Sequence, residues 1–348
     1  MAIHSKTLQE AKYKLRTATG ISEQHYSHCL EFPIYGSGQG SGNSPCIWLF
    51  ISSTLFDIQN ATTHGARFVT PDGQTSLQVA IVGFVDDSNG MTNDFQPQHQ
   101  APITTLLKNM EQDAQKWSDL LFCSGGQLEL SKCSFHTLHF EFMPNGRPIP
   151  QQQQYPTLIR LRDPITNDYI NITSLRVDQP HKTLGHYKAP SEPKQQTHFN
   201  HLMSLARRTS ILLSTSPISR AGALLAYHTV YVPRIKYSLP QCYFTPAQLD
   251  KALQTHMGSI IAKCGFNRHS PTAVMYASPN YAGAGFLRWQ VLQGEGQILL
   301  FLKHWRSSTI VSRALHIALA WAQWQAGISN PILMTPAYPK ARGGKMEK

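Results

Sequence analysis

The sequence has few acidic residues, and the shortage is confined to one half of the chain. Its 348 residues include 20 Asp and Glu against 31 Lys and Arg. Met1–Leu175 holds 15 acidic and 11 basic residues, whereas Arg176–Lys348 holds 5 acidic and 20 basic. An acidic half can hold divalent cations while a basic half binds phosphates. A solvated basic surface accounts for the same counts, so charge alone leaves both interpretations open.

Paired cysteines, long apolar runs and a secretory leader are also lacking. None of the 6 cysteines stands in a Cys-x-x-Cys pair, so no zinc or redox motif is indicated and a reduced setting is favoured. The longest apolar runs are too short and too interrupted to span a bilayer. The N-terminal residues are polar, without the apolar core of a signal peptide. We therefore expect an intracellular protein, nuclear or cytoplasmic, that is not secreted and has no membrane partner.

The pattern of the remaining residues predicts an α+β fold with a boundary near Pro190. Residues 1–190 mix strand-like runs with helices, and residues 335–348, rich in Gly, Pro and Lys, predict a disordered tail. Between them, residues 191–334 are dominated by helical periods. The predicted helices of this part are His198–Ser214, Ser219–Val232, Pro246–Cys264 and a broken segment over Phe286–Gly327.

Two adjacent carboxylates follow an apolar run. Leu77–Val85 predicts a buried central strand that ends at Asp86 and Asp87, and Ser88-Asn89-Gly90 behind them predicts a hairpin turn. Neighbouring carboxylates repel each other unless a cation lies beside them, and two-metal phosphoryl-transfer sites use such groups to hold ions roughly 3.5–4 Å apart. Hairpin turns also favour Asp for backbone reasons, so the pair alone does not decide.

A glycine-rich stretch, Gly36–Gly42, opens a helix upstream of the acids. Ser44 can cap this helix and Pro45 suits its first turn. Glycines let backbone approach a ligand closely, and a helix N-terminus favours anionic groups. The spacing fits neither the dinucleotide fingerprint nor the P-loop. An ordinary flexible loop remains the alternative.

The two motifs together resemble those of reverse transcriptases, most closely of non-LTR retrotransposons. The matching residues are Gly36, Gln39, Gly40, Ser44 and Pro45, then a helix, then Phe84-Val85-Asp86-Asp87. The resemblance implies a partial polymerase palm in which Asp86 and Asp87 bind catalytic Mg²⁺ or Mn²⁺. It also implies contacts to nucleotide and template from Gly38, Gln39, Gly40, Ser44, Pro45 and Phe84.

Two later segments extend the resemblance to about Pro190. Leu128-Glu129-Leu130-Ser131-Lys132 stands where the family has a lysine near the incoming nucleotide's phosphates, although Lys132 lies closer to the leucines than is usual. A solvated strand-end cation is the alternative for Lys132. Leu184 and Gly185 stand where the family has its primer grip.

One departure limits what the resemblance implies. The family's first palm motif supplies another metal-binding Asp, but Met1–Phe56 contains no Asp, and the fingers region expected before it is also missing. We therefore expect an N-terminally truncated palm that does not polymerise by itself. The implied partners are an RNA template, a DNA primer and a dNTP. A non-catalytic nucleic-acid-binding remnant of a retroelement is the main alternative, and a protein scaffold is a third.

The basic half supplies a thumb-like candidate for holding nucleic acid. Its cations alternate with aromatic residues that can stack on bases, although aromatics at helical spacing are more often core residues. The cations are Arg207, Arg208, Arg220, Arg234, Lys236, Lys251, Lys263, Arg268, Arg288, Lys303 and Arg306, and the aromatics are Tyr227, Tyr231, Tyr237, Tyr243, Trp289 and Trp305. The histidines of this region, His181, His186, His198 and His201, are too scattered to indicate a metal site.

Overall fold

The computed structural model describes part of the chain. The described residues are 12, 14, 16–17, 20–25, 27, 44–84, 87–93, 103–144, 148–151, 159–329 and 331–334. The predicted C-terminal tail lies outside these residues. Within them, no helix combines the length and the apolar character that crossing a membrane requires.

The described elements are helices and short antiparallel two-stranded sheets, a mixture compatible with the predicted α+β class. The strands are β1 Arg16–Thr17, β2 Gly20–Ile21, β3 Ala66–Val69, β4 Ser76–Val79, β5 Ile81–Phe84, β6 Asp87–Gly90, β7 Ser134–His136, β8 Phe140–Phe142, β9 Pro148–Pro150, β10 Arg160–Arg162, β11 Tyr169–Asn171, β12 Thr173–Leu175, β13 His181–Thr183 and β14 His186–Lys188. The α-helices are α1 Ser44–Thr62, α2 Ile103–Cys123, α3 Gln196–Thr215, α4 Arg220–Ala226, α5 Val232–Lys236, α6 Pro246–Gln254, α7 Met257–Lys263, α8 Thr272–Tyr276, α9 Trp289–Trp305 and α10 Ile310–Gln325.

The chain divides into two compact units. The first comprises residues 1–68, 78–135 and 156–173, and the second comprises residues 69–77, 136–155 and 174–348. Residues 174–190, which the sequence assigns to the first domain, therefore belong with the helices. The physical reason is local packing. Strand β14 lies against α3, and the hydroxyl of Tyr237, the residue after α5, donates a hydrogen bond to the Leu184 carbonyl in the turn before β14.

The first unit has two small cores, one at each end of α2. Leu55 of α1 and Ile81 of β5 pack with Trp117 and Leu121, which are four residues apart and share one face of α2. The other core contains Leu107, near the start of α2, together with Leu130, Phe135, Ile159, Leu161 and Ile172. Helix α2 therefore joins the hairpin β5–β6 to the strands of the β10–β11 pair.

Strand β5 is less buried than the apolar run predicts. The run Leu77–Val85 bends at Ala80, so that β4 and β5 are separate strands. Ile81 faces the core, but Val82 and Phe84 on the opposite face are 44% and 61% exposed. The prediction of a strand buried on both faces is wrong because α1 and α2 cover only one of them.

A buried carboxylate ties α2 to the loop after α1. Asp113 accepts hydrogen bonds from the backbone N–H groups of His64 at 3.1 Å and Gly65 at 3.2 Å. It also accepts from the Thr92 hydroxyl at 2.9 Å and lies 2.9 Å from Nδ1 of His64. A carboxylate with these donors is stabilised in spite of its burial.

We expect Asp113→Ala to lower the free energy of unfolding by about 3 kcal/mol, because it leaves the Gly65 N–H buried without an acceptor. Chemical denaturation followed by tryptophan fluorescence measures the loss. The matched control is Asp119→Ala on the same helix, whose carboxylate accepts a hydrogen bond from the Gln115 amide, one turn earlier, at 3.0 Å. Equal losses in the two variants would show that the Asp113 network does not stabilise the fold.

The second unit has one large core built from helices. Its most buried large side chains include Tyr227, Tyr231, Phe286 and Trp289. Tyr227 and Tyr231 lie on a π-helical turn between α4 and α5, immediately before Pro233, whose missing N–H removes a regular helical bond. Tyr227 and Tyr231 are therefore core residues, as their helical spacing favoured, and Trp289 is also in the core, so none of the three is exposed for stacking on bases.

The predicted helix Pro246–Cys264 is divided at a buried histidine. Helix α6 ends at Gln254 and α7 begins at Met257, and His256 between them leaves helical geometry. The hydroxyl of Tyr231 donates to Nε2 of His256, and Nδ1 of His256 lies 3.2 Å from the Thr255 hydroxyl. Burial lowers the pKa of His256 from 6.5 to about 4.

Because His256 takes up its proton more readily in the unfolded chain, its contribution to stability is complete above about pH 6.5 and is lost towards pH 4. We expect the stability advantage of the wild type over His256→Gln to shrink by roughly 2–3 kcal/mol across that range. Urea denaturation of both proteins at a series of pH values tests this. A difference independent of pH would contradict it.

Candidate functional site

The predicted acidic hairpin is present in the first unit. Strands β5 and β6 pair antiparallel with Phe84 opposite Asp87 and Gly83 opposite Ser88. Asp87 begins the returning strand and is exposed. Val85 and Asp86 lie outside the described residues.

Helix α1 runs antiparallel to β5 along the hairpin. The side-chain oxygen of Asn60 accepts from the backbone N–H of Ala80 at 2.8 Å. One helical turn earlier, the Phe56 ring lies beneath Gly83, where a Cβ would be 2.2 Å from its Cζ atom. Residues earlier in α1 therefore contact residues later along the strand. Phe84, at the end of β5, is consequently nearer to the N-terminal end of α1 than Ile81 is.

That end of α1 is where the glycine stretch joins the helix. Helix α1 begins at Ser44 with Pro45 in its first turn, as predicted. Gly38, Gln39 and Gly40 lie outside the described residues, as does the side chain of Ser44. Near this end, the side chains of Leu49 and Phe50 are exposed, as is Phe84 on the hairpin. Phe84 is therefore accessible for contact with a ligand.

The same face of the hairpin also contacts α2. Nε1 of Trp117 donates to the Ser88 hydroxyl at 3.0 Å, and the Trp117 ring stacks on Phe56 at a centroid distance of 5.3 Å. The base of the hairpin is thereby fixed against both helices. Phe84 and Asp87, at the far end of the two strands, are exposed.

Lys132 does not lie at the end of a strand. The segment predicted as a strand, Leu128–Leu130, leads instead into a 3₁₀ turn over Leu130–Lys132. Leu130 is buried in the core, which fixes the turn, and Lys132 is exposed. Its expected role near nucleotide phosphates stays a prediction.

The predicted primer-grip residues form a tight hairpin turn in the second unit. Strands β13 and β14 pair with Thr183 opposite His186, and Leu184 and Gly185 have φ angles of 51° and 77°. Two successive positive φ angles are typical of the type I′ hairpin turn. The hydroxyl of Tyr237 donates to the Leu184 carbonyl at 3.0 Å. This bond joins the turn to the residue that follows α5.

Several predicted phosphate-binding cations have partners within the second unit. Lys263 donates to the Ser216 carbonyl at 2.7 Å, and Lys236 pairs with Glu295 at 3.2 Å. The Arg288 guanidinium lies 5.0 Å from the centre of the Tyr276 ring. Arg207 and Arg208, by contrast, are adjacent and exposed on α3. They are the clearest candidates for binding a phosphate backbone.

A cluster that could hold a metal ion lies next to the Leu184–Gly185 turn. His186, His198 and Cys242 are all buried, and one ligand atom from each lies within 4.8 Å of the others. Burial lowers the pKa of His186 to about 4 and that of His198 to about 3, and it raises the pKa of Cys242 to about 12. Sequence reasoning missed this group because its members come from separate elements without a recognisable spacing.

Comparison with known families finds no family model that matches the chain, and comparison with curated proteins finds no significant match.

The positive φ angles of Leu184 and Gly185 lead to a prediction about the stability of the β13–β14 hairpin. We expect Gly185→Val to destabilise it by about 1–2 kcal/mol, because a β-branched residue at φ 77° is strained. Leu184→Asn is the control, since Asn tolerates φ 51° and should cost nothing. Hydrogen exchange of residues 181–188 measures the effect. Similar exchange in both variants would contradict the turn geometry.

Proposed function

We propose that this chain is a reverse-transcriptase-like fragment, part of a polymerase palm followed by thumb-like helices. The observation that carries the proposal is the packing of α1 along β5. Contacts run from Asn60 with Ala80 to Phe56 with Gly83, so the end of β5 that precedes the acids lies nearer the N-terminal end of α1 than its start does. Acids and a glycine-lined helix N-terminus on one side of a packed unit suit a site for metal ions and nucleotide phosphates.

The proposed chemistry is nucleotidyl transfer in the intact ancestral enzyme. The 3′-oxygen of a primer attacks the α-phosphate of a dNTP, the bond to the β-phosphate oxygen breaks, and pyrophosphate leaves. Asp86 and Asp87 would hold Mg²⁺ or Mn²⁺, which activates the attacking hydroxyl and stabilises the leaving group. Gly38, Gln39 and Gly40 would lie along nucleotide and template, and exposed Phe84 would contact the nucleotide.

The second unit would hold the template–primer duplex. The Leu184–Gly185 turn, supported by Tyr237, would seat the primer strand. Arg207 and Arg208 on α3 would bind backbone phosphates. Lys132 would lie near the incoming phosphates, as the family resemblance implies.

We do not expect this chain to polymerise by itself. A two-metal site needs a further carboxylate of the family's first palm motif, and Met1–Phe56 contains no Asp. The missing carboxylate would have to come from another segment or chain. The catalytic role is therefore a property of the assembled site.

A second candidate is a non-catalytic nucleic-acid-binding protein. The strong surplus of basic over acidic residues in Arg176–Lys348, 20 against 5, favours it. It requires no metal at the acidic turn. The two candidates are therefore separated by whether a metal binds there.

Iron-directed cleavage tests the acidic turn without requiring turnover. With Fe²⁺ in place of Mg²⁺, ascorbate and peroxide generate hydroxyl radicals beside the ion. In the presence of an RNA–DNA hybrid and a dNTP, we expect the wild-type chain to be cut near Asp86 and also near Gly38–Gly40. The double variant Asp86→Asn/Asp87→Asn should lose both cuts.

The matched control is Asp168→Asn, which removes an exposed acid beside another hairpin strand, β11, and should keep both cuts. Cuts that persist in the double variant, or that never reach the glycine stretch, would overturn the polymerase proposal. Fluorescence anisotropy with the same hybrid then decides the alternative. Salt-sensitive binding weakened by Arg207→Ala/Arg208→Ala, without acid-dependent cuts, supports the non-catalytic protein, and no binding at all contradicts both.

A further inference from the structure

Three buried side chains meet where the β13–β14 hairpin packs on the helices of the second unit. His186 comes from β14, His198 from the first turn of α3, and Cys242 from the residue after a 3₁₀ turn at Leu239–Gln241. We propose that they bind a structural zinc ion that fastens the hairpin to the helices. The proposal does not depend on the polymerase function.

The spacing of the ligand atoms suits a tetrahedral ion. Zinc bonds of about 2.0–2.1 Å to nitrogen and 2.3 Å to sulfur place neighbouring ligands roughly 3.3–3.6 Å apart. Nε2 of His186 and Sγ of Cys242 are already 3.4 Å apart. The two imidazole rings stack with their centroids 3.8 Å apart. Because a metal binds in the plane of an imidazole, zinc binding requires the His198 ring to turn out of this stack.

Unsatisfied polar atoms give an independent indication of a ligand. His186 and His198 are 2% and 0% exposed. Nε2 of His198, Nδ1 of His186 and the hydroxyl of Ser238 are buried with no hydrogen-bond partner among the described residues. Buried polar atoms normally have a partner, and an ion bound at Nε2 of His198 would supply the one that this nitrogen lacks.

A purely structural histidine pair explains the burial but not the unpaired Nε2 of His198. The Tyr187 N–H donates to Nδ1 of His198 at 3.3 Å, so the neutral ring carries its proton on Nε2. Zinc binding through Nε2 moves that proton to Nδ1, so the Tyr187 N–H loses this long hydrogen bond and the bond to the metal replaces it. Cys242, whose sulfur lies 3.2 Å from the Ser238 carbonyl, releases its thiol proton to solvent and binds as thiolate.

The donor set selects the class of metal. Two imidazoles and one thiolate suit Zn²⁺, whereas Mg²⁺ and Ca²⁺ require oxygen ligands. Water completes the tetrahedron, and the Ser238 hydroxyl is a polar group near Cys242 in sequence that can bind that water. The thiolate offsets one of the two positive charges of zinc, which limits repulsion by Lys188 two residues from His186.

A zinc ion here would act directly on the Leu184–Gly185 turn. His186 is the residue immediately after Gly185, and its backbone pairs with Thr183 on the other side of the turn. Fixing the His186 ring to α3 and to Cys242 therefore fixes the base of the turn. The expected effect is local rigidity.

Cobalt substitution tests the site in the full chain. Metal-free protein titrated with Co²⁺ should show a thiolate-to-cobalt charge-transfer band and tetrahedral d–d bands at one ion per chain, and Zn²⁺ should displace the cobalt. Cys242→Ser and His198→Asn should each abolish the charge-transfer band or weaken Zn²⁺ binding by at least about 100-fold. Circular dichroism checks that each variant is folded.

Cys264→Ser and His201→Gln are the matched controls. Cys264 is another buried thiol of the second unit, and His201 stands one helical turn after His198. Both should keep the cobalt spectrum. A band that survives in Cys242→Ser, or its loss in Cys264→Ser, would overturn the assignment, and binding of Cu⁺ without binding of Zn²⁺ would overturn the choice of metal.

Hydrogen exchange measures whether zinc restrains the β13–β14 hairpin. Addition of Zn²⁺ should slow the exchange of residues 181–188 in the wild type and in His201→Gln, but not in Cys242→Ser. Zinc binding with unchanged exchange in this segment would contradict the structural role.

Discussion

The close approach of α1 and β5 is the constraint on which the candidate site depends. Gly83 has no side chain, and the Phe56 ring occupies the space that a Cβ would need. Any larger residue at this position would separate the helix from the strand. The contact therefore fixes both the distance and the direction of the hairpin, and with them the position at which the acidic turn leaves the packed part of the unit. The Trp117–Ser88 hydrogen bond secures the returning strand in the same way.

The two hairpins are held by different physical means. The acidic hairpin β5–β6 is held at its base by aromatic packing, and its distal residues are exposed. The hairpin β13–β14 is held by a polar cluster beneath its turn and by the Tyr237 hydroxyl above it. Packing positions a segment through many weak contacts, whereas a few directed bonds position single atoms.

Local signals in the sequence predicted the elements that depend on neighbouring residues. Helix α1 begins at Ser44-Pro45, as the sequence predicted, and a hairpin is present at β5–β6. Ser88-Asn89-Gly90, predicted as part of the hairpin turn, lie instead in β6. Tertiary contacts overrode local preference elsewhere. His256 interrupts a continuous helical pattern because its ring is drawn into the core by Tyr231. The cluster of His186, His198 and Cys242 exists only through long-range packing, which no local spacing encodes.

The acidic hairpin is a ribbon of two strands, since β5 pairs only with β6 among the described residues. A ribbon twists and bends more easily than a wider sheet, because a single row of hydrogen bonds resists its deformation. In-line displacement at phosphorus tolerates errors of only about an ångström in the placement of its ions. A third strand paired with the free edge of β5 would therefore make the hairpin more rigid and could also carry the further carboxylate that the proposed metal site needs. The unpaired edge of β5 would then be as much a part of the proposed site as the acids.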